Sequence, residues 1–227
     1  MFCGIDLGSR SVKLTVMSDE KKIIFNKVFE TVNFYREYGQ KTPEGLVVDF
    51  SALNIDKADT LVATGYGRNT LDIVGAIVIP ELKAHVLGAI YQTGLKDFTL
   101  LDLGGQDSKV IKVEQGKMVD FDTNDKCAAS TGRYLENMAN VLNISLDEMS
   151  NYSENPVELS STCAIFGESE LIGRIVEGYS VEELSAGVNY TIFKRIKPML
   201  IGLKSDKIIF TGGVAIGYAI KHFIDRK

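Results

Sequence analysis

The chain has 227 residues, 45% of them hydrophobic, which is enough to bury a large core in one domain or two. Its formal net charge of -5 gives no general attraction to nucleic acid or to anionic membranes, so neither is an expected partner. We expect a cytoplasmic protein, because the N-terminus lacks a signal-peptide pattern and no apolar run could span a bilayer. The 3 cysteines, an odd number at wide spacings, predict no disulfide framework.

The sequence opens with strands around a glycine turn. Residues 2–6 and 12–18 favour two β-strands, and residues 22–32 favour a third. Asp6 ends the first strand, and small or basic residues follow it: Gly8, Ser9, Ser11 and Lys13. Such a turn could bind an anion, although an ordinary β-hairpin explains it equally well.

The following segment gives weaker signals. Residues 33–51 indicate a helix and then a strand at 45–50, and a short apolar strand is expected at 61–64. A helix is predicted to begin near Pro80, which suits a first-turn position. His85 and Glu81 share a face of this helix, but a surface hydrogen bond is a commoner explanation of such a pair than a metal site.

A second strand and glycine turn repeat the opening pattern. The strand 98–103 contains Asp102 and ends at Gly104-Gly105, beside Gln106 and Asp107, and a hairpin follows to residue 124. Because a strand, an aspartate and a glycine recur, we predict two α/β lobes, 1–97 and 98–227. Two such loops facing one another could hold a polyphosphate.

The rest of the chain alternates helices with one more strand. The hydrophobic spacing predicts helices at 129–142, 145–149, 166–176, 181–203 with a kink at Pro198, and 214–224. A strand at 207–211 ends in a third glycine turn, Gly212-Gly213, whose backbone could lie against an adenosine. Neither a P-loop nor a Gly-x-Gly-x-x-Gly motif is present, so we expect two lobes hinged around ATP.

Cys127 and Cys163 raise the question of a metal cluster. Each lies in a predicted loop before a helix, and two thiolates do not fill the four positions of an iron-sulfur cluster. A twofold dimer would supply four. The alternative, two ordinary cytosolic cysteines, is favoured by spacing alone because no Cys-x-x-Cys is present.

Successive segments then suggest a family. Seven segments resemble, in order, the signatures of the CoA-substrate-specific enzyme activases. They are GIDLGS, VATGYGR, PELKAHVLGA, LLDLGGQDSK, NDKCAASTGRYLE, STCAIFGESE and FTGGVAIG. These proteins activate 2-hydroxyacyl-CoA dehydratases, are related to benzoyl-CoA reductase ATPase subunits, and belong to the actin, sugar-kinase and heat-shock chaperone superfamily. The resemblance therefore implies a two-lobed actin-like ATPase with ribonuclease H-like lobes. The chain ends at Lys227, before the final strand and helix usual in the family, so we expect either a shortened relative or an incomplete chain.

The resemblance also implies cofactors and partners. It implies ATP or ADP with Mg²⁺, and one 4Fe-4S cluster per homodimer, bound by Cys127 and Cys163 of both subunits. Reduced ferredoxin or flavodoxin would donate the electron, and an iron-sulfur dehydratase or reductase would receive it. The activity implied is ATP hydrolysis coupled to this electron transfer.

The resemblance further assigns roles to the residues of the glycine turns. Asp6 and Asp102 would organise Mg²⁺, and Gln106 or Asp107 would position the hydrolytic water. The residues implied in nucleotide binding are Gly8, Ser9, Ser11, Lys13, Gly104, Gly105, Gln106, Gly212 and Gly213. A small-molecule kinase of the same fold without a cluster, and a nucleotide-sensing module, are the alternative functions.

Overall fold

The computed structural model describes residues 1–53, 55, 58–65, 73–124, 132–160 and 164–226. The chain divides into two compact units, Met1–Gly88 and Ala89–Lys227, which are described separately. The division falls within helix α2 (Glu81–Thr93), earlier than the predicted one. The assignment of domains to 1–97 and 98–227 stays a prediction.

The first unit contains a mixed sheet of 5 strands in the order β3-β2-β1-β6-β7. β1 pairs antiparallel with β2 and parallel with β6. Alternate residues of β1 and β2 are buried, because a strand covered on one face has a period of two. The bounds are β1 Phe2–Leu7, β2 Ser11–Met17, β3 Ile23–Glu30, α1 Thr31–Tyr38, β4 Gly39–Thr42, β5 Gly45–Val48, β6 Thr60–Thr64 and β7 Ala76–Val78.

The second unit contains a sheet of 4 strands in the order β10-β9-β8-β11. Every residue of β8 is buried, as expected for a central strand covered on both faces. β8 pairs antiparallel with β9 and parallel with β11. The strands are β8 Phe98–Leu103, β9 Ser108–Glu114, β10 Lys117–Asn124 and β11 Ile208–Thr211.

Helices pack against this sheet to form the core of the second unit. They are α3 Gly132–Leu142, α4 Leu146–Met149, α5 Ala164–Val176, α6 Val181–Leu203 and α7 Tyr218–Asp225. Ser180 begins α6 with a capping box to Glu183, and Ser145 caps α4 through the Glu148 amide. None of the helices in the described ranges is long and apolar enough to cross a membrane.

Several predicted boundaries were wrong. The predicted strand 22–32 ends at Glu30, because Thr31 begins α1. The predicted terminal helix 214–224 is two elements, a 3-10 helix at 213–216 and α7, because Gly217 between them has an extended backbone. β4 and β7 were not predicted.

The start of α5 also differs from the prediction. The helix begins at Ala164, two residues before the predicted start at residue 166. Within it, Glu170 accepts hydrogen bonds from the amide and hydroxyl of Ser160, at 2.8 and 2.9 Å. Pro198 lies inside the continuous α6, and the predicted kink there stays a prediction. The predicted helical residues 129–131 lie outside the described residues.

Candidate functional site

The turn between β1 and β2, residues 8–10, is called the Gly8 turn. Asp6 and Lys13 are opposite each other on the two strands, and the Lys13 Nζ lies 2.9 Å from the Asp6 Oδ2. The Lys13 side chain is 53% exposed and that of Asp6 is 19% exposed. The pKa of Tyr35 is raised, mainly by burial and secondly by the Asp6 charge. Because the Lys13 side chain is mostly exposed, the Asp6–Lys13 ion pair is open to solvent and to a ligand.

Close backbone contacts determine the shape of the Gly8 turn. A Cβ atom at Gly8 would lie 2.5 Å from the Ser11 carbonyl oxygen, so a side chain does not fit there. The Thr31 hydroxyl donates to the Gly8 carbonyl at 2.8 Å, and the Thr31 amide donates to the Arg10 carbonyl at 3.2 Å. The start of α1 therefore holds the turn, while Ser9 and Lys13 remain exposed.

Gly65 packs on the same aspartate from the neighbouring strand. It follows β6, has a φ of +96°, and a Cβ there would lie 2.4 Å from the Asp6 Oδ1. Thr64 is opposite Asp6 in the parallel pair, but its hydroxyl donates to the Ile79 carbonyl at 3.0 Å. Sequence reasoning did not assign a role to Thr64 or Gly65.

The turn between β8 and β9, residues 104–107, is called the Gly104 turn. The Gly104 amide donates to the Asp107 carbonyl at 2.9 Å and closes it. Asp102 and Lys109 are opposite each other on the two strands. The Lys109 Nζ lies 2.8 Å from the Asp107 Oδ1 and 3.7 Å from the Asp102 Oδ2. The Lys109 and Asp102 side chains are only 7% and 5% exposed, so this pair is buried, whereas the Asp107 side chain is 40% exposed.

β11 adds two residues next to Asp102. Thr211 is opposite Asp102 in the parallel pair, and its hydroxyl donates to the Asp102 Oδ1 at 3.0 Å. Gly212 has a φ of +91°, and a Cβ there would lie 2.2 Å from the Leu103 carbonyl oxygen. A Cβ at Gly213 would have no atom within 4 Å. Of the two glycines, Gly212 is required by packing, while Gly213 has open space.

Helix α3 begins directly on the Gly104 turn. The Gly132 amide donates to the Gly104 carbonyl at 2.9 Å, and the Arg133 amide donates to the Gly105 carbonyl at 3.1 Å. A Cβ at Gly132 would lie 3.4 Å from the Gly105 Cα, which is an ordinary packing distance, so this contact does not require glycine. The first turn of α3 and the Gly104 turn are therefore joined by backbone hydrogen bonds.

The structure brings the predicted residues together in two groups. Asp6, Gly8, Ser9, Ser11 and Lys13 lie on the β1–β2 hairpin of the first unit. In the second unit, the carboxyl ends of the parallel strands β8 and β11 carry the remaining predicted turn residues: Asp102, Gly104, Gly105, Gln106, Asp107, Gly212 and Gly213. Lys109 and Thr211 were missed, although Lys109 follows Asp102 at the spacing by which Lys13 follows Asp6.

The cysteines are only partly described. Cys127 and Cys163 lie outside the described residues, and no group of three His, Cys, Asp or Glu suited to a metal occurs within them. Cys3 is 2% exposed in the first unit, and burial raises its pKa to about 11. It is therefore a core thiol and unsuited to metal ligation, which needs the thiolate.

Comparisons with known proteins identify relatives of this chain. The (R)-2-hydroxyglutaryl-CoA dehydratase activating ATPase of Acidaminococcus fermentans is 35% identical to this chain, over 96% of this chain and 84% of the relative. The solved structure of the activator of the 2-hydroxyisocaproyl-CoA dehydratase from Clostridium difficile, with bound ADPNP, is 29% identical. It superposes with a TM-score of 0.81 over 99% of this chain and 84% of that chain.

A more distant structure identifies the fold alone. The MreB5 protein of Spiroplasma citri superposes with a TM-score of 0.57 at 15% identity, over 99% of this chain and 88% of that chain. The fold is thus that of the actin-like ATPases, and the expected fold class is confirmed. A sequence profile of the BadF/BadG/BcrA/BcrD ATPase family matches residues 3–226, and we conclude that the chain belongs to this family.

Proposed function

We propose that this protein is an ATP-hydrolysing reductive activator. In this role it transfers a low-potential electron from a 4Fe-4S cluster to a partner iron-sulfur enzyme such as a 2-hydroxyacyl-CoA dehydratase. The observation that carries the proposal is the family match over residues 3–226, together with a relative named as a dehydratase-activating ATPase. Reduced ferredoxin or flavodoxin would supply the electron, in the cytoplasm.

The nucleotide would be ATP, with Mg²⁺, and ADP after hydrolysis. Asp6 and Asp102 would organise Mg²⁺ and its waters, because carboxylate oxygens suit this hard cation. The exposed Lys13 ammonium has the charge and mobility to pair with a phosphate. The other residues proposed to surround the phosphates are Gly8, Ser9, Ser11, Gly104, Gly105 and Gln106. Gly213 has the open space that a nucleoside needs.

The cluster would be shared by two subunits. Cys127 and Cys163 from each subunit would provide its four thiolate ligands, and the bound cluster would supply one electron at a time. Cys3 is not a candidate ligand because its thiol is buried and protonated. In the sequence, Cys163 directly precedes Ala164, the first residue of α5.

The link between α3 and the Gly104 turn supports coupling of the two sites. A shift of Gly104 and Gly105 on phosphate binding would be transmitted to α3 through the amides of Gly132 and Arg133. The segment that contains Cys127 precedes α3 in the chain. Nucleotide-dependent movement of this turn would therefore alter the cluster environment, as expected of a two-state element.

An anaerobic ATPase assay tests the proposed activity. Reconstituted protein should release inorganic phosphate from ATP without a sugar or acid acceptor. Asp102→Asn should lower this rate at least about 100-fold, since preorganised electrostatic groups commonly contribute this much. Asp122→Asn, an exposed change on β10, is the matched control and should retain the rate.

The alternatives give different results in this assay. A small-molecule kinase would transfer the phosphate to an acceptor and would keep its activity when Cys127 and Cys163 are both replaced by alanine. A nucleotide sensor would bind ATP and release no phosphate, even with a reduced cluster and a partner present. Either result would refute the proposed function.

A further inference from the structure

Lys109 is a buried cation next to the proposed nucleotide site. Its side chain is 7% exposed, and its ammonium lies 2.8 Å from the Asp107 Oδ1 and 3.7 Å from the Asp102 Oδ2. Asp102 is fixed on its other side, because its Oδ1 accepts the Thr211 hydroxyl. Two carboxylates of the turn region are thus held around one ammonium group, which limits their repulsion.

The position of Lys109 distinguishes it from Lys13. The Lys13 side chain is 53% exposed and can leave Asp6 to contact a phosphate. Lys109 is enclosed, and moving away would leave the buried Asp102 carboxylate without its counter-charge. Its geometry therefore suits a fixed internal support better than a ligand contact.

The same contacts separate the two candidates for positioning water. One oxygen of Asp107 is committed to Lys109, and the Asp107 backbone closes the turn on Gly104. The Gln106 side chain is exposed, whereas the Asp107 carboxylate is paired with Lys109. A side-chain amide is also a group that can orient an attacking water in nucleotide hydrolysis.

We propose that Lys109 is a positioning residue for ATP hydrolysis, which fixes Asp107 and Asp102 so that Gln106 orients the attacking water. This inference rests on the proposed function. Water adds to the γ-phosphorus as the bond to the bridging oxygen breaks, giving ADP, inorganic phosphate and a proton. Lys109 contacts none of these atoms and acts through the shape and charge of the Gly104 turn.

Kinetics of four variants test the inference. Lys109→Met should lower kcat about 100-fold, the order expected when a reacting group is misplaced by 1 Å. The KM for ATP should change by no more than about threefold, since a loss confined to the transition state leaves binding intact. Lys109→Arg, which keeps the charge and can donate to Asp107, should recover part of kcat. Gln106→Ala should lower kcat more than Asp107→Asn does.

A surface lysine on the same strand is the control. Lys112 lies 3.0 Å from Glu114 and is 34% exposed, so Lys112→Met should retain kcat and KM. A folded fraction measured for each variant ensures that rates refer to native protein. If Lys109→Met does not fold, the kcat losses of Gln106→Ala and Asp107→Asn still show which of the two residues orients the attacking water.

The outcomes separate this inference from the proposed function. Wild-type protein that hydrolyses ATP, with Lys109→Met equally fast or with Asp107→Asn slower than Gln106→Ala, would overturn the inference alone. Wild-type protein that releases no phosphate would overturn the proposed function and the inference together. Non-additive losses in the Lys109→Met, Asp107→Asn double variant would support a shared action, because coupled residues do not contribute independently.

Discussion

The two units place the same three residue types around one aspartate, yet they surround it differently. In each, the aspartate faces a lysine across an antiparallel pair and a threonine across a parallel pair, and a glycine follows the threonine. The sets are Asp6, Lys13, Thr64 and Gly65 in the first unit and Asp102, Lys109, Thr211 and Gly212 in the second. The weak repeat in the sequence therefore corresponds to a repeated local geometry.

Burial is the main difference between the two sets. Lys13 is 53% exposed and Lys109 is 7% exposed. β1 is buried at alternate residues, whereas every residue of β8 is buried and α3 begins on the turn that follows it. The same residue types thus form an exposed ion pair in the first unit, which a ligand can reach, and a buried ion pair in the second unit, which supports a turn. Residue identity alone does not determine the role of such a pair.

The largest loss of stability is expected for Gly212, the glycine that follows Thr211 in the second unit. Gly212→Ala should lower the free energy of unfolding by about 4 kcal/mol, because a glycine-only backbone conformation and overpacking against Leu103 each cost about 2 kcal/mol. Gly213→Ala has open space and should change stability by less than about 0.5 kcal/mol. Urea unfolding of both variants measures the difference.

The Gly213→Ala variant also tests where the nucleotide binds. With stability unchanged, its affinity for ATP should fall if the nucleoside lies against Gly213, which titration calorimetry measures. Equal stability losses in the Gly212→Ala and Gly213→Ala variants would show that the described packing at Leu103 is not what requires glycine.

The second largest difference in unfolding free energy is expected between the two lysine variants. Lys109→Met should cost about 3 kcal/mol of unfolding free energy, since breaking a buried ion pair leaves an uncompensated charge. Lys13→Met should cost less than about 1 kcal/mol, as for exposed pairs, and its effect should shrink with added salt. Urea unfolding at low and high salt measures both. Similar costs for the two variants would contradict the distinction between an exposed and a buried ion pair.

The threonines should show the smallest difference. Thr211→Val removes a hydroxyl that donates to the Asp102 carboxylate, a charged hydrogen bond worth about 2 kcal/mol. Thr64→Val removes a bond to the Ile79 carbonyl, a neutral one worth about 1 kcal/mol. Thermal unfolding measures the stabilities, and phosphate release should fall only for Thr211→Val. A larger loss for Thr64→Val would reverse the comparison.

Sequence reasoning predicted the strands and glycine turns because their signals are local. Apolar runs that end at glycine mark β1 and β8 without knowledge of the fold. Lys109 and Thr211 were missed because their importance comes from strand pairing, which brings residue 211 opposite residue 102. The split before α7 was missed because the apolar spacing continues through Gly217, while the backbone there is extended.

The proposed iron-sulfur cluster is inferred mainly from the family to which the chain belongs. We predict that anaerobically reconstituted protein contains about four iron atoms per dimer, since one cubane cluster requires four thiolates. Cys127→Ala and Cys163→Ala should each abolish this iron, whereas Cys3→Ala, which changes a buried core thiol, should retain it. Iron that persists without Cys127 or Cys163, or a wild-type protein without iron, would contradict the proposal of a reductive activator.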